Sequence, residues 1–210
     1  MKIQLINQAD IADADFQTIT QAVSYFTPLV TKAWSLSDAS IVTDAGDWIV
    51  YVTEAKRNVG AAGYHKVEGG KVVAYCSPRA SGRLFGTYIK PLIIKGKQIH
   101  PGLSTPGLVS VICHEIAEML CDPQIDNYSK PDSQGRAWLI EVGDHCFGNY
   151  FNKVFNNQTC IFPDITTPAF YDLKGKAPFT IGNTLSAPFT MSAKGYAYYK
   201  DATGKLVKVA

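Results

Sequence analysis

Residues 13–27 place Phe16, Ile19, Val23 and Phe26 at helical spacing, with polar positions between them, and predict an amphipathic helix that ends or kinks near Pro28. Residues 47–53 (Asp-Trp-Ile-Val-Tyr-Val-Thr) are β-branched and aromatic and predict a strand. Residues 61–65, the Gly69-Gly70 pair and residues 71–77 then read as strand, tight turn and strand. From Ser81 to Gly107 glycine and proline interrupt the pattern with little periodicity, which predicts a long loop. One of the most apolar runs in the chain follows, at residues 109–121. Its length and its Asp122-Pro123 stop predict a buried helix. Residues 137–146 read as a short buried strand ending in a turn, and from residue 158 onward short β-prone segments alternate with prolines and glycines. The pattern predicts an α+β fold, divided into residues 1–157 and a β-rich segment 158–210 that packs on it or meets partners.

Composition narrows the class without naming a function. The 210 residues are 46% hydrophobic and 18% charged with net charge +2, a balance that points to neither a nucleic acid nor an acidic membrane as partner. The start of the chain lacks the apolar core of a secretory signal, and no run approaches the length of a membrane span, so a soluble protein, cytoplasmic or virion-associated, is expected. The five cysteines, at 76, 113, 121, 146 and 160, form no C-x-x-C pair. Free thiols are therefore expected, with thiolate ligation beside the helix a secondary option.

The candidate chemistry lies inside the apolar helix, as His114-Glu115-x-x-Glu118. Residues four apart lie on one helix face, so His114 and Glu118 can approach one cation, while Glu115 projects about 100° around the axis. In a metallopeptidase helix that offset lets the glutamate act as general base on a metal-held water. An imidazole and two carboxylates in so apolar a surface are costly unless paired or bound to an ion.

A second cluster, Glu141, Asp144 and His145, closes the 137–146 segment after a turn-rich stretch at 126–136. A catalytic zinc site takes three protein ligands and an open position, with the third often supplied by a separate element. Glu141 is the leading third ligand and Asp144 the candidate that orients it, with exchange of the two open; the direction of His145 is also open. The late tyrosines 196, 198 and 199 read either as cross-strand packing or as an aromatic patch for substrate.

With these residues in view, the chain resembles the zincin-like metallopeptidases, and more narrowly a group of phage-encoded and bacterial proteins of that class. The resemblance rests on Val23-Ser-Tyr-Phe-Thr-Pro28, Gly63-Tyr-His65, His114 through Pro123, Glu141-Val-Gly-Asp144, Pro168-Ala-Phe170 and Gly195-Tyr196, in order over most of the chain. Cys113 stands where serine is expected, and Gly143 where cysteine is expected. The resemblance implies a zincin-like fold and a zinc ion held by His114, Glu118 and Glu141. It also implies Glu115 as base, with His65, Tyr64 or His145 steadying the oxyanion and His65 preferred. Two carboxylates and one imidazole leave the ion less electrophilic than two histidines do, and they suit harder cations.

The leading expectation is a metal-dependent peptide-bond hydrolase acting on a peptide or protein, weak or degenerate in activity. A phage virion structural or assembly protein with a non-catalytic metal site, contacting other virion subunits, is the alternative. In a third reading there is no metal and a cation, with Arg136 nearest in sequence, satisfies the carboxylates.

Overall fold

The computed structural model describes residues 1–54, 61–94, 97–100 and 103–210, with the side chains of 92–94 and 97–100 left out of the description. β1 (Lys2–Asn7) leads into α1 (Asp13–Ala33), and β2 (Ser40–Val42), β3 (Trp48–Val52), β4 (Gly63–Glu68) and β5 (Lys71–Cys76) complete a five-stranded sheet in the order β2-β1-β3-β5-β4. The first four strands in that order are parallel; β4 runs antiparallel to β5 at the edge. The β4–β5 turn uses Gly69 and Gly70 at φ of 58° and 78°, a pair of left-handed positions that glycine adopts without steric cost.

Register decides which side chains face the helices. Leu5, Val50, Ala74 and His65 are matched across four adjacent strands, so His65 shares a row with three core residues and points to the same face. Ile3, Leu5, Val50, Val52, Ala74 and Cys76 are almost completely buried on that face, beneath α1 and α3 (Leu108–Cys121). On the other face Tyr51, Tyr75 and Tyr64 stack in succession, with ring centres 5.2 Å and 5.4 Å apart.

α1 continues through Pro28 to Ala33, so of the end or kink expected there the end does not occur. Proline removes one amide donor to the carbonyl four residues back, here that of Ser24. Pro28 and Ser24 both lie on the exposed face, where that carbonyl is open to solvent and the helix need not end. The segment 81–107, expected as a loop, also differs. After α2 (Pro78–Ser81) it holds β6 (Thr87–Ile89) paired with β9 (Leu103–Thr105), and between them β7 (Leu92–Ile94) paired with β8 (Lys97–His100); residues 95–96 and 101–102 lie outside the described residues. Strands of three or four residues are too short to display a period-2 pattern.

The segment 137–146 is strand only at β10 (Ala137–Trp138); from Glu141 the chain turns as far as Gly148. The expected division at 157/158 falls in the turn between β11 (Tyr150–Phe155) and β12 (Gln158–Pro163). Phe162 of β12 stacks on Phe26 of α1 with centres 5.8 Å apart and planes 7° from parallel, and Ile161, Ile165 and Phe170 are fully buried. Each such side chain contributes on the order of 1.5–3 kcal/mol by leaving water. β13 (Ala197–Lys200) and β14 (Leu206–Val209) pair with β10 in a three-stranded sheet. Among the described residues the fold is thus mixed α/β, with three α-helices and several sheets, and none of the helices is long and apolar enough to cross a membrane.

Candidate metal centre

α3 is buried along nearly its whole length, and its polar members converge on one side. His114 Nε2 lies 3.0 Å from Glu118 Oε1, the one-turn neighbour, and 3.3 Å from Asp144 Oδ1. Three ligands at about 2.0–2.1 Å from a tetrahedral ion stand about 3.3 Å from one another, and both separations from His114 Nε2 are close to that. The three ligand atoms all lie within 4.8 Å of one another.

Asp144 reaches the helix from the 141–148 turn. Val142 and Cys146 are fully buried and hold that turn, and the Val142 carbonyl accepts the Thr166 amide at 2.9 Å. Between them Gly143 gives the closest approach: a Cβ there would meet His114 Nδ1 at 2.4 Å. The Gly143 amide donates to Glu118 Oε1 at 3.3 Å, and the Tyr196 hydroxyl is hydrogen-bonded to the Asp144 carboxyl.

Glu141, expected as the third ligand, belongs to neither group of clustered metal donors found among the described residues. Its carboxyl instead hydrogen-bonds that of Glu118, and its Oε1 is buried without a partner. Burial, together with the charge of Glu118, pushes Glu141 up to about 11, so it is a neutral acid that donates to Glu118.

The second group consists of His65, Glu115 and Glu118, all buried. His65 Nδ1 is 3.5 Å from Glu115 Oε2 and 4.0 Å from Glu118 Oε2, and Nε2 is 3.2 Å from the Asp122 carbonyl at the end of α3. A carbonyl only accepts, so Nε2 carries the proton and Nδ1 faces the carboxylates. The structure therefore sets His65 behind Glu115. Burial and the neighbouring charge of Glu118 raise the Glu115 pKa, opposed by its hydrogen bond with His65. For His114, burial opposes protonation, but Glu118 and Asp144 outweigh it and hold the imidazole well above its ordinary value.

The remaining candidates lie elsewhere. His145 is fully buried against Trp138, Phe170 and Tyr171, with Nδ1 3.4 Å from the Glu141 carbonyl; burial lowers its pKa to about 4, the mark of a neutral core histidine. Tyr64 is on the opposite face of β4 from His65, stacked on Tyr75. Arg136 pairs with Asp132 at 2.7 Å and lies over the Trp138 ring, so it does not serve the cluster. All five cysteines are buried and free, and none joins a group of metal donors among the described residues.

His114 and Glu115 line a cleft of about 490 Å³ together with Ala61, Ala62, Gly63, Phe147, Tyr150 and Tyr196. A Cβ at Gly63 would meet Glu115 Oε1 at 2.7 Å, so the missing side chain keeps that oxygen beside the cleft wall. Sequence reasoning gave Tyr196 no role on Asp144, and the only available signal was the Gly195-Tyr196 pair itself. Comparison with known family models, curated proteins and solved structures finds no match to this chain.

Proposed function

We propose that the protein is a metal-dependent peptide-bond hydrolase of the zincin class, with His114, Glu118 and Asp144 as its ligands and zinc the ion their donor set fits. The observation that carries this reading is the placement of Glu118 and Asp144 at 3.0 Å and 3.3 Å from His114, beside a cleft that Glu115 also lines. The antiparallel edge strand β4 next to α3 supports the zincin assignment. When bound, a divalent ion would polarise a carbonyl and acidify a water.

The chain's own groups provide the rest. Glu115 has a raised pKa, which suits a group that takes a proton from water and returns it to a leaving amine. His65 fixes the rotamer of Glu115, and Tyr196 and Glu141 orient Asp144 and Glu118 by hydrogen bonds. The backbone of Ala61–Gly63 offers an extended peptide a wall to lie along, while Val111, Phe147 and Tyr150 give an apolar seat for a side chain. The two anionic ligands make slow turnover the expectation.

The test is hydrolysis of a peptide library by the zinc-loaded protein. Glu115→Gln is expected to reduce turnover by about 100-fold or more while the ion at His114 is retained. Absence of turnover by the unaltered protein across the library would favour the second reading, a virion structural protein with a non-catalytic metal site. The exposed Ile89 and Leu103, paired across β6 and β9, are the surface that favours it.

A further inference from the structure

The cleft beside His114 continues past its aromatic residues. A second cavity of about 590 Å³ shares Pro106, Phe147, Asn149 and Tyr150 with it, so the two form one trough. Phe147, at the junction, is 43% exposed and offers an apolar ring to whatever crosses. β9 lines the second cavity, and among the described residues it pairs with β6 alone, which leaves its other edge without a strand partner. A free strand edge presents amides and carbonyls at the spacing of an extended chain, which favours a polypeptide as the occupant.

The charges along the trough are unequal. Among the described residues that line it, Lys208 is the one lysine or arginine of the first cavity and Lys194 that of the second, while Glu115 is the sole acid. Neither lysine belongs to an ion pair among the described residues. Both are placed by packing. The Lys208 ammonium lies 4.6 Å from the centre of the Tyr196 ring and 5.3 Å from that of Tyr198, and Tyr196 is anchored through its hydroxyl to Asp144. A Cβ on Gly148 would come within 3.1 Å of the Lys194 Cβ, so the bare glycine makes room for the lysine stem beside Phe147.

We propose that the substrate is a polypeptide segment carrying acidic side chains, selected by Lys208 and Lys194. This deepens the hydrolase reading and rests on it only for the trough as the place of binding. An exposed charge pair contributes about 2–5-fold in affinity, so useful selection requires both lysines. Salt screens such pairs, which gives the selection a signature of its own.

The probes are amidated decapeptides of one sequence with a neutral dye, carrying either three glutamates or three glutamines in their place. Binding to the zinc-loaded Glu115→Gln chain, read by fluorescence anisotropy, is expected to be about 10-fold tighter for the glutamate peptide at low salt, with most of that margin lost at about 0.5 M salt. Lys194→Gln and Lys208→Gln alter exposed positions; each should cut the margin by about 2–5-fold, and together they should abolish it. No binding, equal affinity for the two peptides, or a margin that survives the double variant would overturn the proposal. So would a glutamine peptide with a free C-terminal carboxylate that binds as tightly as the glutamate peptide, or an oligonucleotide that binds more tightly than either. Turnover by the unaltered protein separates this inference from the reading beneath it. Hydrolysis indifferent to glutamate would overturn the inference and leave the hydrolase, whereas a glutamate margin without hydrolysis of any peptide would overturn the hydrolase and leave the trough as a docking site for acidic chains.

Discussion

Replacing Gly143 by alanine adds one methyl group at the point where the 141–148 turn touches His114 of α3. The new Cβ would sit 2.4 Å from His114 Nδ1 and 2.5 Å from Cε1, about 1 Å inside the 3.4 Å at which ordinary contact begins. Either the ring or the turn must therefore shift by roughly that amount. Metal bonds tolerate displacements of about 0.2 Å, and both alternatives move a ligand, His114 on the helix or Asp144 on the turn. Loss of an orienting contact in a metal site lowers affinity by about 10–100-fold, which is about 1.4–2.7 kcal/mol, and displacement of a ligand should do no less. Competition of Gly143→Ala and the unaltered protein for Zn²⁺ against a chromophoric chelator measures the difference directly. Thermal unfolding of both metal-free forms separates it from an overpacking cost of about 1–3 kcal/mol in the fold itself. An affinity within twofold of the unaltered protein would refute the reasoning, because His114 and Asp144 would then not be held against each other by this contact.

Glu141 and Asp132 give two further tests. As a neutral acid donating to Glu118, Glu141 should tolerate an uncharged donor: Glu141→Gln is expected to keep metal affinity within about threefold, whereas Glu141→Ala leaves Glu118 without its partner and should lose about 10-fold, both by chelator competition. Burial works against the Asp132 charge, but hydrogen bonds from Trp138, Arg136 and Gln134 outweigh it and hold the carboxyl at about 2. Because its folded value lies below its unfolded one, the stabilisation, about 2 kcal/mol, is fully present above about pH 4 and is lost as pH falls through about 2. Urea unfolding of metal-free protein and of Asp132→Asn should therefore show a stability gap at pH 5 that has shrunk by about 2 kcal/mol at pH 2; a gap constant across that window would contradict the assignment.

The elements visible in the sequence were those whose signal is local. α3 is a long apolar run with a proline stop, and the β4–β5 hairpin has a glycine pair at its turn; neither depends on distant residues. β1 has no such signal, because two fully buried residues, Ile3 and Leu5, are too few to establish a period over six positions. The site divides in the same way. His114 and Glu118 face one side because helix geometry requires it, but the choice between Glu141 and Asp144 depends on how the 141–148 turn is folded. The two residues are close enough in sequence that spacing cannot separate them. Placing His65 behind Glu115 required the register of four strands, and placing Tyr196 on Asp144 required the arrangement of the tail, so neither had a local signal.

The central claim concerns three atoms: His114 Nε2, a Glu118 carboxylate oxygen and an Asp144 carboxylate oxygen. Anomalous diffraction from zinc-soaked crystals, recorded on both sides of the zinc absorption edge, locates the ion without reference to activity. A peak about 2.0–2.2 Å from all three atoms is the predicted result. A peak bonded to Glu141 in place of Asp144, or no peak at His114, would contradict the account.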